Sequence, residues 1–499
     1  LFLDFLIKSY NNSNKILRYS RRGEMKKFLI TASLISFLST PALAKFDHSA
    51  VITGNFTSGP EVTAQCLQCH EKAAKDLMAT SHWRWKGIPY HIGKFQNPAN
   101  AKKEWGKINM FNNFCVNPIG GNFEFCGRCH AGYAKEYSQV EAQDPKLIDC
   151  LVCHTKERDY FKNKKPGGVV EPAILNKAAK NIGKPERFNC GWCHFAGGGG
   201  DNVKHGGLYS KMGGKIPAEV DVHMGKLDMQ CQDCHVTKDH KIAGASSMLA
   251  TFTSRVACTD CHSGKVHEKA KAGKLLDRHT KSVACETCHI PAIARGGIAT
   301  KLHWDWSYVG KDEKEFEGKE EYGREVFAKH KGLFKWGVNI VPVYAWYNGK
   351  MERYMMGDKV QDPSKPVYLN KPMGSIKDPK AKIYPFKVHT GKQPYDTQYK
   401  HLLVFRLWKA LWSDYNWEKA LTLGSKESGL PYSGKYDFIN TIYYIAAKHE
   451  VAPKDKALTC NDCHFNQRMD WKALGYPDDP ALVGGRFTKG LVKEKSAKR

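Results

Sequence analysis

Eight copies of Cys-x-x-Cys-His punctuate the chain, and their residue types and spacing point to one chemistry. They are Cys66 and Cys69 with His70, Cys126 and Cys129 with His130, Cys150 and Cys153 with His154, Cys190 and Cys193 with His194, Cys231 and Cys234 with His235, Cys258 and Cys261 with His262, Cys285 and Cys288 with His289, and Cys460 and Cys463 with His464. Two thiols three residues apart with an imidazole directly after them form the attachment pattern of c-type haem. The thiols bond the two vinyl groups, and the histidine becomes an axial ligand of the iron. The spacing therefore predicts eight covalent haem c groups. These consume 16 of the 17 cysteines and leave no disulfide framework. Zinc ribbons would need the histidine to recur eight times by accident. A redox-active dithiol would need the free thiols that haem attachment removes.

A second imidazole on every iron would take eight of the 13 histidines outside the motifs. His205, His223, His240, His267 and His279 lie close to motifs and are the first candidates for distal ligands. His82, His91, His303, His389 and His401 stand behind them. A haem that only passes electrons is served by two strong ligands, whereas a catalytic haem needs an open or displaceable axial position. Sequence does not pair ligands with irons.

Two further features carry candidate chemistry. Cys115 is the one cysteine outside a motif, in FNNFCVNPIGGNFEFCGRCH. It reads either as a small buried apolar residue or as a thiol beside a substrate haem, where a thiolate would attack a sulfur–sulfur bond. The loop HFAGGGGDNVKHGG, residues 194–207, has four consecutive glycines, which allow a close backbone approach, and then presents Asp201 and Lys204. It reads either as a solvated surface loop or as the carrier of an amine that ligates iron when neutral.

The elements that must position these groups are short. From Met25, the sequence MKKFLITASLISFLSTPALA has the basic start, apolar stretch and small-residue cleavage site of a secretory signal over 25–44. Residues 1–24 read as translated sequence upstream of the true start. No later stretch reaches the length of a permanent membrane span, so the expected location is the periplasm. The formal charge is +27. Residues 1–44 hold seven Lys/Arg and two Asp/Glu, so the remainder carries +22. Each haem brings two propionates, so much of this excess balances cofactor carboxylates. No nucleic-acid-binding module accompanies it. Seven motifs fall in a haem-rich region, 45–295, three of them starting at 231, 258 and 285 with an even spacing. Residues 296–499 hold the eighth haem and a basic tail. There, 400–422 and 436–449 read as amphipathic helices. The expected fold class is mainly α: a multihaem cytochrome c with helices and loops wrapped around eight covalent haems and little β.

The eight motifs, the lone Cys115 and the GGGGDNVKHGG loop together resemble the octahaem tetrathionate reductases, a family related in haem arrangement to hydroxylamine oxidoreductase and pentahaem nitrite reductase. The resemblance implies a periplasmic oxidoreductase whose active site is the second haem, on Cys126 and Cys129, with His130 as its motif ligand. It implies Lys204 as the other axial ligand, Asp201 and Cys115 beside it, and seven bis-histidine haems as an electron wire. The implied substrate is a small anion, tetrathionate, with nitrite or hydroxylamine as alternatives. A non-catalytic electron conduit is the rival outside enzymes. The implied donor is a quinol-linked membrane cytochrome or a small periplasmic cytochrome. A calcium ion is a candidate second cofactor, although no calcium loop is recognisable. The Cys-x-x-Cys-Lys motif of pentahaem nitrite reductases is absent from this sequence.

Overall fold

Each Cys-x-x-Cys-His motif needs only one helical turn, because residues i and i+3 are neighbours on a helix face. The structure, a computed structural model, describes residues 47–114, 117–163, 167–245 and 256–493. The expected leader, the segment before it, Cys115 and the end of the basic tail lie outside the described residues. The elements below all belong to the unit Ser49–Arg499. The helix Gly59–Met78 (α1) carries the first motif and breaks at His70, whose φ of −115° and ψ of 33° are not helical. Pro172–Lys180 (α2) buries Leu175, Ala178 and Ala179 against Leu151 and Val152 of the third motif turn. Arg187–His194 (α3) ends in the fourth motif, and Gly273–His279 (α4) lies between the sixth and seventh. Single turns at Leu151–His154, Cys231–Cys234, Cys258–Asp260, Cys285–His289 and Cys460–His464 hold others. In three motifs the middle residue closes its own turn. Asp233, Asp260 and Asp462 accept from the backbone N–H of Gln230, Ala257 and Thr459 at 2.7, 2.9 and 2.7 Å. A carboxylate there also suits the positive end of the turn.

Beyond residue 296 the structure departs from the expected helical region with little β. Seven strands form one sheet: Thr300–Asp305 (β1), Phe327–Ala328 (β2), Gly332–Gly337 (β3), Val343–Tyr347 (β4), Val367–Tyr368 (β5), Lys382–Asp396 (β6) and Tyr436–Ala446 (β7). Their order is β5-β7-β6-β1-β3-β2, with β4 also paired to β6. Strands β6 and β7 run antiparallel from Phe386 opposite Ala446 to Asp396 opposite Tyr436, and β1 pairs with β6 in parallel. The helix expected over 436–449 is therefore strand β7. Ile439, Thr441, Tyr443 and Ile445 are buried at period two, and β-branched and aromatic residues fill the segment, which is a strand signature.

The helix expected over 400–422 starts later. Residues Leu402–Phe405 are buried in extended chain, and Trp408 (ψ 141°) and Lys409 (φ 60°) break the next turn. Asn416 then caps Trp417–Ser428 (α5) by accepting from Lys419 N–H at 2.9 Å. Helix α5 lies against the Val404–Phe405 backbone at Gly424, where a Cβ would meet the Val404 carbonyl oxygen at 2.2 Å. Gly424→Ala should lower the thermal unfolding midpoint, with an overpacking cost of about 1–3 kcal/mol. An unchanged melt followed by far-UV circular dichroism would contradict this packing.

Candidate functional site

One continuous cavity of about 4250 Å³ runs between the motif turns, several times the roughly 300–1,000 Å³ of a pocket for one small ligand. All eight motif histidines and 14 of the 16 motif cysteines line it. Across it, imidazoles face one another in pairs. Ring centres are 6.2 Å apart for His82 and His194, 6.4 Å for His154 and His240, 6.1 Å for His223 and His262, 6.4 Å for His235 and His449, and 6.3 Å for both His267–His289 and His279–His464. A metal–nitrogen bond of about 2 Å and about 1.1 Å from nitrogen to ring centre put two imidazoles on one ion about 6.3 Å apart. Each pair joins one motif histidine to one distal histidine, so the residues fit six bis-imidazole irons.

Hydrogen bonds orient these rings. Nδ1 donates to the Gly183 carbonyl from His154 (3.2 Å), to the Ala243 carbonyl from His235 (2.8 Å) and to the Leu275 carbonyl from His279 (2.9 Å). It donates to Asp277 from His267 (2.9 Å) and to Asp479 from His464 (2.6 Å). Fixing Nδ1–H leaves Nε2 as the ligating nitrogen, and a carboxylate partner makes the ligand more basic.

The cysteines give the order of the sites. Cys66 neighbours Cys150, Cys129 neighbours Cys193, Cys190 neighbours Cys231 and Cys258 neighbours Cys285. Cys153 neighbours Cys190, Cys234 neighbours Cys261 and Cys288 neighbours Cys463. The motifs thus form a line in the order first, third, fourth, fifth, sixth, seventh, eighth, with the second branching from the fourth.

The second motif differs from the paired ones. His130 is buried among Trp83, Trp85 and Phe123, with ring centres 5.0, 5.2 and 5.8 Å away. Its Nε2 donates to the Trp83 carbonyl at 2.6 Å, and its buried Nδ1 has no hydrogen-bond partner. Burial pushes this imidazole down to about 3, so the ring is neutral. Like His70, it lies outside the six facing pairs. Below it, the buried Lys162 ammonium donates to the carbonyls of His130 and Gly132, both at 2.7 Å, and faces Asp149 at 3.6 Å.

The glycine-rich loop forms another wall of the cavity. Lys204 faces in, with Nζ 5.5 Å from the Phe114 ring centre. Gly198, at φ +83°, has no room for a side chain, since a Cβ would meet Val203 at 2.9 Å. From β6, the fully buried Lys387 amine donates to the carbonyls of Val203 (2.7 Å) and Lys204 (3.0 Å) and to Thr300 Oγ1 (2.6 Å). Burial holds Lys387 well below the usual lysine range. Thr300 in turn donates to the Asn202 carbonyl at 2.6 Å. Asp201 is not on the cavity wall. Its carboxylate accepts from Ser210 N–H (2.6 Å) and Ser210 Oγ (2.7 Å), bracing the loop rather than lining the site. Cys115, expected beside these groups, lies outside the described residues. Among the described residues no three His, Cys, Asp or Glu side chains converge as a metal cage, so the calcium expectation gains no site.

A crystal structure of octaheme cytochrome c from Shewanella oneidensis superposes on this fold with a TM-score of 0.79 and 41% sequence identity, covering 88% of this chain and 98% of that one. The chain belongs to the multihaem cytochromes c. Its cofactor is covalent haem c, and it is a redox protein. The family model for bacterial cytochrome c matches residues 301–467, from β1 through the last motif. An uncharacterized protein of Archaeoglobus fulgidus is 26% identical over 280 residues, 44% of this chain and 91% of its own length.

In this multihaem cytochrome, four of the five first-choice distal candidates, His223, His240, His267 and His279, face a motif histidine. His205 is buried on the cavity wall, outside the six pairs. His82 faces His194, while His449 was not singled out as a ligand at all. His303, His389 and His401 instead bond Thr390, Asn113 and the Leu402 carbonyl within the sheet region. No described helix is long and apolar enough to cross a membrane.

Two measurements check the pairing. His449→Ala should convert one low-spin haem to a high-spin form in the electron paramagnetic resonance spectrum, and an unaltered low-spin count would remove His449 from the ligand set. Asp479→Asn withdraws negative charge from the His464 imidazole. The reduction potential of one haem should rise in a spectroelectrochemical titration while its low-spin spectrum persists.

Proposed function

We propose that the protein is a periplasmic octahaem reductase that cleaves tetrathionate at the haem held by Cys126 and Cys129. The observation that carries this reading is the glycine-rich loop, which presents the Lys204 amine to the haem cavity on a backbone pinned by the buried Lys387. His130 of the second motif lines the same cavity. With haem attached at Cys126 and Cys129, His130 and Lys204 would be the residues holding its iron, and the Lys204 amine, which ligates only when neutral, would be the one a substrate displaces. The six haems whose motif histidine faces a second imidazole would carry electrons along the line of motifs to the fourth and from it to the second.

When bound, the haem supplies electrons and an iron able to coordinate a substrate atom. The chain supplies the rest. Lys107, Lys204, Lys301, Arg324 and Lys331 are among the cations that line the same cavity, whose carboxylates include Glu320 and Glu325. Lys301 is buried beneath Trp304 and Phe334, its Nζ 3.5 and 3.7 Å from their ring centres. Cations in a water-poor, aromatic-walled space favour an anion and stabilise negative charge that grows in the transition state. Tetrathionate, a dianion, accepts two electrons. Its central sulfur–sulfur bond breaks, and two thiosulfate dianions leave without proton uptake. Nitrite or hydroxylamine reduction at the same site is the second reading, but it demands protons. The Asp201 carboxylate, tied to Ser210, is not placed to deliver them. The donor in this proposal is a quinol-linked membrane cytochrome or a small periplasmic cytochrome.

The test is anaerobic stopped-flow reoxidation of the fully reduced protein by tetrathionate, with nitrite and hydroxylamine in parallel. Tetrathionate should reoxidise the wild type rapidly. Lys204→Gln should slow that step by about 100-fold, the scale of losing one preorganised charge-stabilising group, and should alter the spectrum of one haem. Rapid reoxidation only by the nitrogen substrates would move the activity to nitrogen chemistry. No response to any of them would leave an electron conduit.

A further inference from the structure

We infer that electrons enter this protein through the segment Ser263–Lys281, which forms a docking surface for an acidic electron-transfer protein. Three observations meet there. The segment carries Lys265, Lys269, Lys271, Lys274, Arg278 and Lys281 against Glu268 and Asp277. Asp277 is already taken by His267. Lys269, Arg278 and Lys281 line the haem cavity, where propionates claim positive charge, but Lys265, Lys271 and Lys274 do not. Those three are exposed and form no ion pair among the described residues.

The neighbouring apolar side chains Val266, Leu275 and Phe465 line the haem cavity. The outward face is therefore polar and positively charged, which matches the small, short-lived interfaces of electron-transfer partners.

The segment is also wired to the interior. It begins directly after the sixth motif, whose Cys258 and Cys261 line the haem cavity. It supplies His267, facing His289 of the seventh motif, and His279, facing His464 of the eighth. One surface element thus touches three adjacent haem sites at the end of the line remote from the second motif. An acidic partner fits it because opposite charge accelerates encounter, whereas a basic one would be repelled. Transfer is outer-sphere: the donor is oxidised by one electron, a bound haem is reduced by one, and no bond forms or breaks.

The test uses the intact haem-loaded protein and a reduced, low-potential monohaem cytochrome c of net negative charge, mixed by stopped flow at increasing ionic strength. The rate constant should fall steeply with salt. Lys265→Glu/Lys271→Glu/Lys274→Glu should slow it at least about ten-fold at low salt and flatten the salt dependence. Haem content and low-spin spectra should be unchanged, and so should reduction by a small uncharged hydroquinone. A salt-independent rate in the wild type would overturn the proposal without recourse to any variant. A steep salt dependence that the triple variant retains would place docking elsewhere. Neither result depends on which oxidant the second motif serves.

Discussion

The structure depends on one constraint: in six sites an imidazole from a haem motif must face a second imidazole from elsewhere in the chain. The cysteines and first histidine are local, set by a single helical turn. The second imidazole is not. His267 and His289 lie 22 residues apart, whereas His235 and His449 lie 214 apart. Loop-closure entropy grows only logarithmically, so the longer connection costs about 2 kcal/mol more than the shorter. That difference is small beside a metal–ligand bond, so remote pairings are affordable and the fold is free to make them. The six pairs therefore act as cross-links, and helices of four or five residues that would be marginal alone are held by what they ligate.

The second motif lies outside the six pairs. His130 packs its ring against three aromatic neighbours. Two buried lysines fix the surroundings: Lys162 holds the carbonyls of His130 and Gly132, and Lys387 holds those of Val203 and Lys204. Each leaves buried carbonyls unsatisfied if removed, a cost of about 1–3 kcal/mol per group. The site is held from its backbone outward, which leaves the Lys204 amine as the variable part.

Much of the cofactor chemistry was legible because a motif is local. Covalent attachment and the motif ligands follow from five-residue words. The distal ligands were only partly legible, because proximity in sequence is a proxy for proximity in space. It served for His223, His240, His267 and His279 and missed His449, which arrives from the end of β7. The sheet was misread for a related reason. Strand β6 places Lys387, His389 and Gln393 in buried positions, so its polar residues hid a central strand. Strand β7 did carry a period-two signal in Ile439, Thr441, Tyr443 and Ile445, overridden by reading its apolar content as helical. Asp201 was grouped with Lys204 by spacing, yet three residues along a glycine-rich loop are enough to point one side chain at the cavity and the other at Ser210.

The sheet is where the two halves of the chain become one device. It holds no haem motif, yet β6 supplies Lys387, β1 supplies Thr300 and Lys301, and Trp304 and Phe334 on β1 and β3 wall the space over Lys301. The family model matches this segment and the last motif, not the seven earlier ones. That emphasis has a physical basis. Haem-binding turns can be rearranged one at a time as long as each iron keeps two imidazoles, because each is a small unit stabilised by its own ligands. A wall that fixes a loop backbone through a buried amine at 2.6–3.0 Å has no such freedom: a one-residue slip of β6 would turn Lys387 to the opposite face of the sheet and release the Lys204 loop. The register of β6 against β1 and β7 is therefore the part of the fold on which the placement of the Lys204 loop depends.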